Sequence, residues 1–134
     1  MSIFNFKPLI MKKASLDFGL LIMRIGFSVG LMTHGYGKFL KVVQGNFEFG
    51  DPIGIGPIFS LVLAALGEFV APILIILGWK TRLATIFPTL TMLVAFVIAH
   101  DGDPFSKKEK AFVYLIAFLT LYFTGPGKYS LGKE

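Results

Sequence analysis

The sequence contains no cysteine. That excludes disulfides, thiolate metal sites, iron–sulfur ligation and a cysteine nucleophile, so any sulfur chemistry has to occur on a ligand or a partner. Charge is scarce as well. Only 16% of the 134 residues are Asp, Glu, Lys or Arg, against about 25% in a soluble domain. A small soluble protein has much surface for its volume and needs polar residues to cover it; this chain has too few. Disorder is excluded by fifteen Phe, four Tyr and one Trp, far more aromatic content than a solvated chain carries. Walker, dinucleotide-binding, zincin and Ser–His–Asp patterns are all missing. What is abundant is apolar: 54% of the residues, with a mean hydropathy of +0.73. The composition describes a protein whose outer surface meets lipid. A net charge of +5 points to nucleic acid in a soluble protein, but here the basic residues lie mostly between apolar runs, where they set membrane topology. No nucleic-acid partner is expected.

Four apolar runs of membrane length recur, at about 16–36, 58–77, 83–99 and 107–125. The last is uncharged only from Ala111 and is extended back to Lys107, since lysine side chains snorkel. The first follows Lys12 and Lys13 but ends in Met32-Thr33-His34-Gly35-Tyr36, without the small-residue cleavage pattern of a signal peptide. The expected fold is therefore all-α: a single membrane domain over 1–134, an integral membrane four-helix bundle connected up-down-up-down. Lys7, Lys12, Lys13, Lys80, Arg82, Lys128 and Lys133 fall on one side of it. Lys38, Lys41, Lys107, Lys108 and Lys110 fall on the other. The positive-inside rule then places both termini in the cytoplasm. The first loop, Gly37 to Pro57, is rich in Gly and Pro yet carries Phe47, Phe49, Ile53 and Ile55. A loop of that length usually has a task, and it is expected to fold back over the mouth of the bundle.

Two charges interrupt the runs. Arg24 lies ~12 Å from the cytoplasmic end of the first run and Glu68 ~13.5 Å from the same end of the second, at 1.5 Å per residue. A lone charge at the centre of a span costs at least ~2.5–3.5 kcal/mol, so a buried Arg24–Glu68 ion pair is expected. One reading makes the pair a device that fixes helix register. The other makes it the floor of a ligand site or a proton relay. Gly26 and Gly30 form a G-x-x-x-G pattern that allows close helix contact.

His34 and His100 end the first and third runs on the same outer side. Two such imidazoles can ligate haem axially, hydrogen-bond a quinone or simply meet water; haem is the weakest of the three. No metal site is expected, because His100 with Asp101 and Asp103 on a glycine-containing loop makes a poor one. The candidate ligand-binding residues are thus Arg24, His34, Lys38, Glu68 and His100, with no catalytic residue assigned. Their expected arrangement is a pocket with Arg24–Glu68 as floor, His34, His100 and Lys38 as rim and the Phe47–Phe49 segment as lid.

Arg24, the segment Thr33-His34-Gly35-Tyr36-Gly37-Lys38-Phe39, Gly67-Glu68, Leu77-Gly78-Trp79-Lys80-Thr81-Arg82 and Thr124-Gly125-Pro126-Gly127-Lys128-Tyr129-Ser130-Leu131 together resemble the DoxX family, from about Leu16 to Leu131. The resemblance implies a four-helix protein of the bacterial inner membrane. It also implies a membrane subunit or accessory of a redox complex with a quinone-like or lipid-like ligand, in company with redox-enzyme subunits and the lipid bilayer. A non-catalytic anchor or assembly partner is the alternative, and a proton or small-solute pathway formed by a homo-oligomer is the second. Whether the chain is itself an enzyme is left open by all three.

Overall fold

The fold is described by a computed structural model over residues 9–132. Among those residues the secondary structure is helical, without strands. Helix α1 spans Leu9–Val43, α2 spans Pro57–Leu77 and α3 spans Thr81–Ala99, and α4 spans Phe105–Thr124. The first three are long and apolar enough to cross a membrane. The fourth is of similar length but opens on Lys107, Lys108, Glu109 and Lys110 and is not among those three. Lys7 and Lys133, two of the basic residues behind the expected orientation, lie outside the described residues.

Helix α1 runs to Val43, seven residues past the expected end at Tyr36. Gly37 does not stop it, because Phe39, Leu40, Val42 and Val43 continue the apolar pattern and Phe39 stacks on Phe69 of α2 with ring centroids 4.6 Å apart. The stop comes at Gly45 (φ 74°). There the amides of Gly45 and Asn46 return to the carbonyls of Val42 and Lys41, a left-handed glycine cap. Lys38 is therefore a helical residue rather than a loop residue, and His34 sits two turns inside the helix.

Residues 44–56 form the shortened loop. The amides of Ile55 and Gly56 donate to the two carboxylate oxygens of Asp51, and the Ser60 hydroxyl donates to one of them, each at 2.9 Å. Partial desolvation pushes the Asp51 carboxyl up, but the hydrogen bonds from Ser60, Gly56, Ile55 and Gly54 outweigh it and hold its pKa below the usual value. This clasp delivers the chain to Pro57, which opens α2 at a position where its missing N–H costs nothing.

Helices α2 and α3 both depart from α geometry. Leu66–Val70 is a π turn in α2 and Ala95–Ala99 is a π turn at the end of α3. Pro72 follows the first one and cannot donate a backbone hydrogen bond, so the wider turn upstream absorbs the break. Half of the most apolar stretch of α2 is buried, against 22% for α1 and for α3, which makes α2 the central helix. The core gathers Leu31, Ile75, Ala84, Met92, Phe118 and Leu121. The surface is equally apolar: Phe123 is 72% exposed and Phe59 66%. Soluble monomers do not expose apolar area on this scale; lipid covers it.

Arg24 does not pair with Glu68. It is 2% exposed, and its guanidinium donates to three carbonyls: Pro126 at 2.7 Å, Tyr129 at 2.5 Å and Ile76 at 3.2 Å. Ile76 lies in the last turn of α2, where carbonyls lack helical partners and a cation is favoured. Pro126 and Tyr129 belong to the tail, which doubles back at Gly125 and Gly127, both at positive φ. The tail is also held by the Lys128 amide on Asp17 and by the Leu131 and Gly132 amides on the carbonyls of Leu77 and Gly78. The expected ion pair fails on register. The two charges were placed from the cytoplasmic ends of the apolar runs, but α1 begins at Leu9, before its run, and projects past the end of α2 there, so Arg24 lies level with Ile76.

Arg24→Ala should release this tail. Hydrogen bonds to a charged group contribute about 1.5–3 kcal/mol each, so the variant should unfold at lower temperature in mild detergent and be cleaved faster by trypsin after Lys128. Arg24→Lys should fall between, having no planar fork for three carbonyls. Unchanged cleavage in both variants would remove Arg24 as the clasp.

Candidate functional site

The carboxylate of Glu68, 4% exposed, is paired with Lys38. The Lys38 ammonium lies 2.6 Å from both of its oxygens. The register that brings them together is set by glycine. A methyl group on Gly35 would collide with the Glu68 carbonyl and one on Gly67 with the Thr91 hydroxyl, so α1 and α3 both approach the α2 backbone at this level. Gly35 lies level with Glu68, and Lys38 follows three residues later on the same face. Arg24 is eleven residues back along α1, ~16.5 Å away.

Around this pair is a cavity of about 200 Å³. Helix α1 contributes His34 and Lys38, and α2 contributes Glu68. His100 enters from the turn after α3; Lys107, Lys110 and Tyr114 come from α4. Four of the five expected ligand-binding residues thus meet here, and the fifth, Arg24, is committed to the tail. Phe47 and Phe49, the expected lid, are not among the lining residues; the loop begins about two helical turns later along α1 than the sequence suggests.

Both π turns border this space. Glu68 lies within the first, and the second begins at Ala95, which lines the cavity, and leads into His100. A π turn inserts one residue and re-aims the side chains beside it, which is why such turns collect at functional sites. His100 is oriented by Asp103, with Nδ1 3.1 Å from the carboxylate. His34 meets the edge of the Tyr114 ring at 6.2 Å between centroids. With three lysines and two histidines against Glu68 and Asp103, the lining favours ligands that accept hydrogen bonds or carry negative charge. Among the described residues no cluster of His, Cys, Asp or Glu is arranged to hold a metal ion.

Sequence reasoning missed Lys107, Lys110 and Tyr114 as part of the site. Their signal was spacing: 107, 110 and 114 are three and four apart and share one helix face. The lysines were read as snorkelling residues because they precede an apolar run.

A family model for DoxX matches residues 19–101. The chain is 32% identical over 128 residues to "Inner membrane protein YqjF" of Escherichia coli, covering 92% of this chain and 95% of the relative. It is 33% identical over 136 residues to "Inner membrane protein YphA" of the same organism, with 88% and 95% covered. An uncharacterized protein of Haemophilus influenzae is 32% identical over 126 residues, with 86% and 89% covered. No solved structure matches the chain.

Lys38→Met should leave Glu68 buried without a counter-charge, at a cost of about 3–5 kcal/mol. Glu68→Gln should be less damaging, since Lys38 is 29% exposed and can turn to water. The double variant Lys38→Met/Glu68→Leu should be more stable than Lys38→Met alone. Thermal unfolding in detergent measures all three, and additive effects would mean that the two charges are not coupled.

Proposed function

The chain belongs to the DoxX family of small inner-membrane proteins, and from that premise we propose that it serves as the membrane-embedded subunit or accessory of a redox complex, holding a quinone-like ligand in the cavity of His34, Lys38, Glu68 and His100. The observation that carries this reading is the convergence of hydrogen-bond donors from two helices, α1 and α4, and one turn on a single cavity within an otherwise apolar bundle. Its volume is below the ~300–1,000 Å³ of sites for drug-sized ligands, so it suits a single small ring rather than a whole lipid. A quinone ring offers carbonyl oxygens that accept hydrogen bonds. Lys38 retains a third N–H after its two bonds to Glu68. His34, His100, Lys110 and the Tyr114 hydroxyl are further donors along the wall. A bound quinone supplies a two-electron, two-proton acceptor. The residues of this chain position the ring and present protonatable groups to it, and a partner subunit supplies electrons.

The bundle in this reading is up-down-up-down with both termini cytoplasmic. Support comes from pairs of contacts at opposite ends: Arg24 with Ile76 and Gly35 with Glu68 join α1 to α2, while Arg82 with Tyr122 and Phe96 with Phe105 join α3 to α4. Lys38 is neutralised inside the bundle, so it drops out of the charge count and the excess on the terminal side widens. Single cysteines at Asp103 and Lys80, in a chain with none of its own, should react with an impermeant thiol reagent from the periplasm and only after permeabilisation, respectively. The opposite pattern reverses the orientation.

Protein purified in mild detergent should carry quinone in its lipid extract. The stable double variant Lys38→Met/Glu68→Leu should carry at least about tenfold less. Equal quinone in both, or none in either, would shift the reading to a structural anchor.

A further inference from the structure

The polar cavity does not stand alone. A second, open depression of about 600 Å³ runs between α1 and α4, the pair of neighbouring helices that packs least closely. Its α1 side is Ile22, Met23, Gly26 and Phe27, all without charge; its α4 side includes Val113 and, toward the first turn, Ser106 and Lys110. Lys110 and Tyr114 line both spaces. They are a shared sill, with an apolar groove open to lipid on one side and the donor-lined cavity on the other.

The sill is built from glycine and aromatic edges. A methyl group on Gly30 would sit 2.6 Å from the Tyr114 hydroxyl, so only glycine leaves room for the phenol against α1. The Tyr114 ring is held edge-on by Phe27 at 6.0 Å and by His34 at 6.2 Å between centroids. Phe27 belongs to the groove and His34 to the cavity. One ring thus touches a wall of each.

We infer that the α1–α4 groove is the side entrance and tail berth of the cavity, admitting from the bilayer an amphiphile with a small hydrogen-bond-accepting ring and a single apolar tail. The inference rests on the quinone reading of the cavity and specifies the ligand further. A cavity of about 200 Å³ accommodates a ring but not a long tail. The tail has to leave through a wall, and the wall of Tyr114 and Lys110 opens on an apolar groove rather than on water. The groove has one continuous floor along α1, which suits one chain. Ser106, Glu109 and Lys110 mark its polar end, beside the ring, and Ile22 and Met23 mark the end where the tail terminates.

Gly26 allows a clean test. A Cβ added there meets nothing within 4 Å, so Gly26→Leu starts from open space at the groove wall and has better helix propensity. Gly19, on the same helix and equally open, does not line the groove, and Gly19→Leu is the control. The probes are a benzoquinone with a short isoprenoid tail and the same ring with methyl in place of the tail. Binding is measured by equilibrium dialysis against the full chain in lipid nanodiscs. Gly26→Leu should weaken the tailed probe by about tenfold or more and leave the tail-less ring unchanged; Gly19→Leu should change neither. Equal binding of the tailed probe to wild type and Gly26→Leu overturns the side entrance and leaves the cavity reading intact. Loss of both probes in Gly26→Leu, or a matching loss in Gly19→Leu, assigns the effect to a disturbed helix and also overturns it. A wild type that binds neither probe overturns the cavity reading and the entrance with it.

Discussion

A carboxylate in the middle of an apolar bundle needs a cation within reach, and the architecture follows from where that cation stands. Glu68 is met by Lys38 with both oxygens engaged. To bring them together α1 has to lie against the α2 backbone at Gly35, and α3 has to approach from the other side at Gly67. Glu68 lies within a π turn, and Pro72, one turn later, lacks the N–H that a regular α-helix would use there. Three helices thus meet at the level of one ion pair, in a register set by Gly35 and Gly67. The side chains that cannot fill the space beside it, His34, His100 and Tyr114, leave the cavity.

The buried Arg24 and the half-buried Lys38 show how differently a membrane interior accommodates charge. Lys38 is answered by a charge, Arg24 by the carbonyl dipoles of a helix end and a tail. Each solution suits its residue. The compact ammonium points both oxygens of one carboxylate at a single nitrogen. The planar guanidinium spreads its donors over acceptors contributed by two segments. The first arrangement leaves a hydrogen-bonding surface for something else to use, whereas the second is closed, with the tail seated over it.

The membrane class, the four helices and four of the seven polar residues around the cavity were legible in the sequence. Hydropathy marks helix existence well, and scarce charges at membrane depth stand out against it. Partner choice was not legible. It turned on which residue of α1 lies level with Glu68, and that is decided by a glycine contact rather than by distance from the ends of apolar runs. The end of α1 was misplaced because Gly37 has the composition of a stop without the left-handed geometry of one; Gly45 has both. Lys107 and Lys110 share a face with Tyr114, but a sequence shows a lysine beside an apolar run in the same way whether it leans to water or lines a cavity. The two π turns have no distinct compositional signature.

The clasp at Arg24 also bears on how the protein is made. Its principal acceptors, Pro126 and Tyr129, lie 102 and 105 residues downstream. During synthesis α1 reaches the membrane with a guanidinium whose acceptors have yet to be translated, and for that interval the charge has to be held by water, lipid phosphate or the insertion machinery. The bundle therefore cannot close helix by helix. The guanidinium on its first span stays without these two acceptors until α4 has been made and the Gly-Pro-Gly turn has folded back.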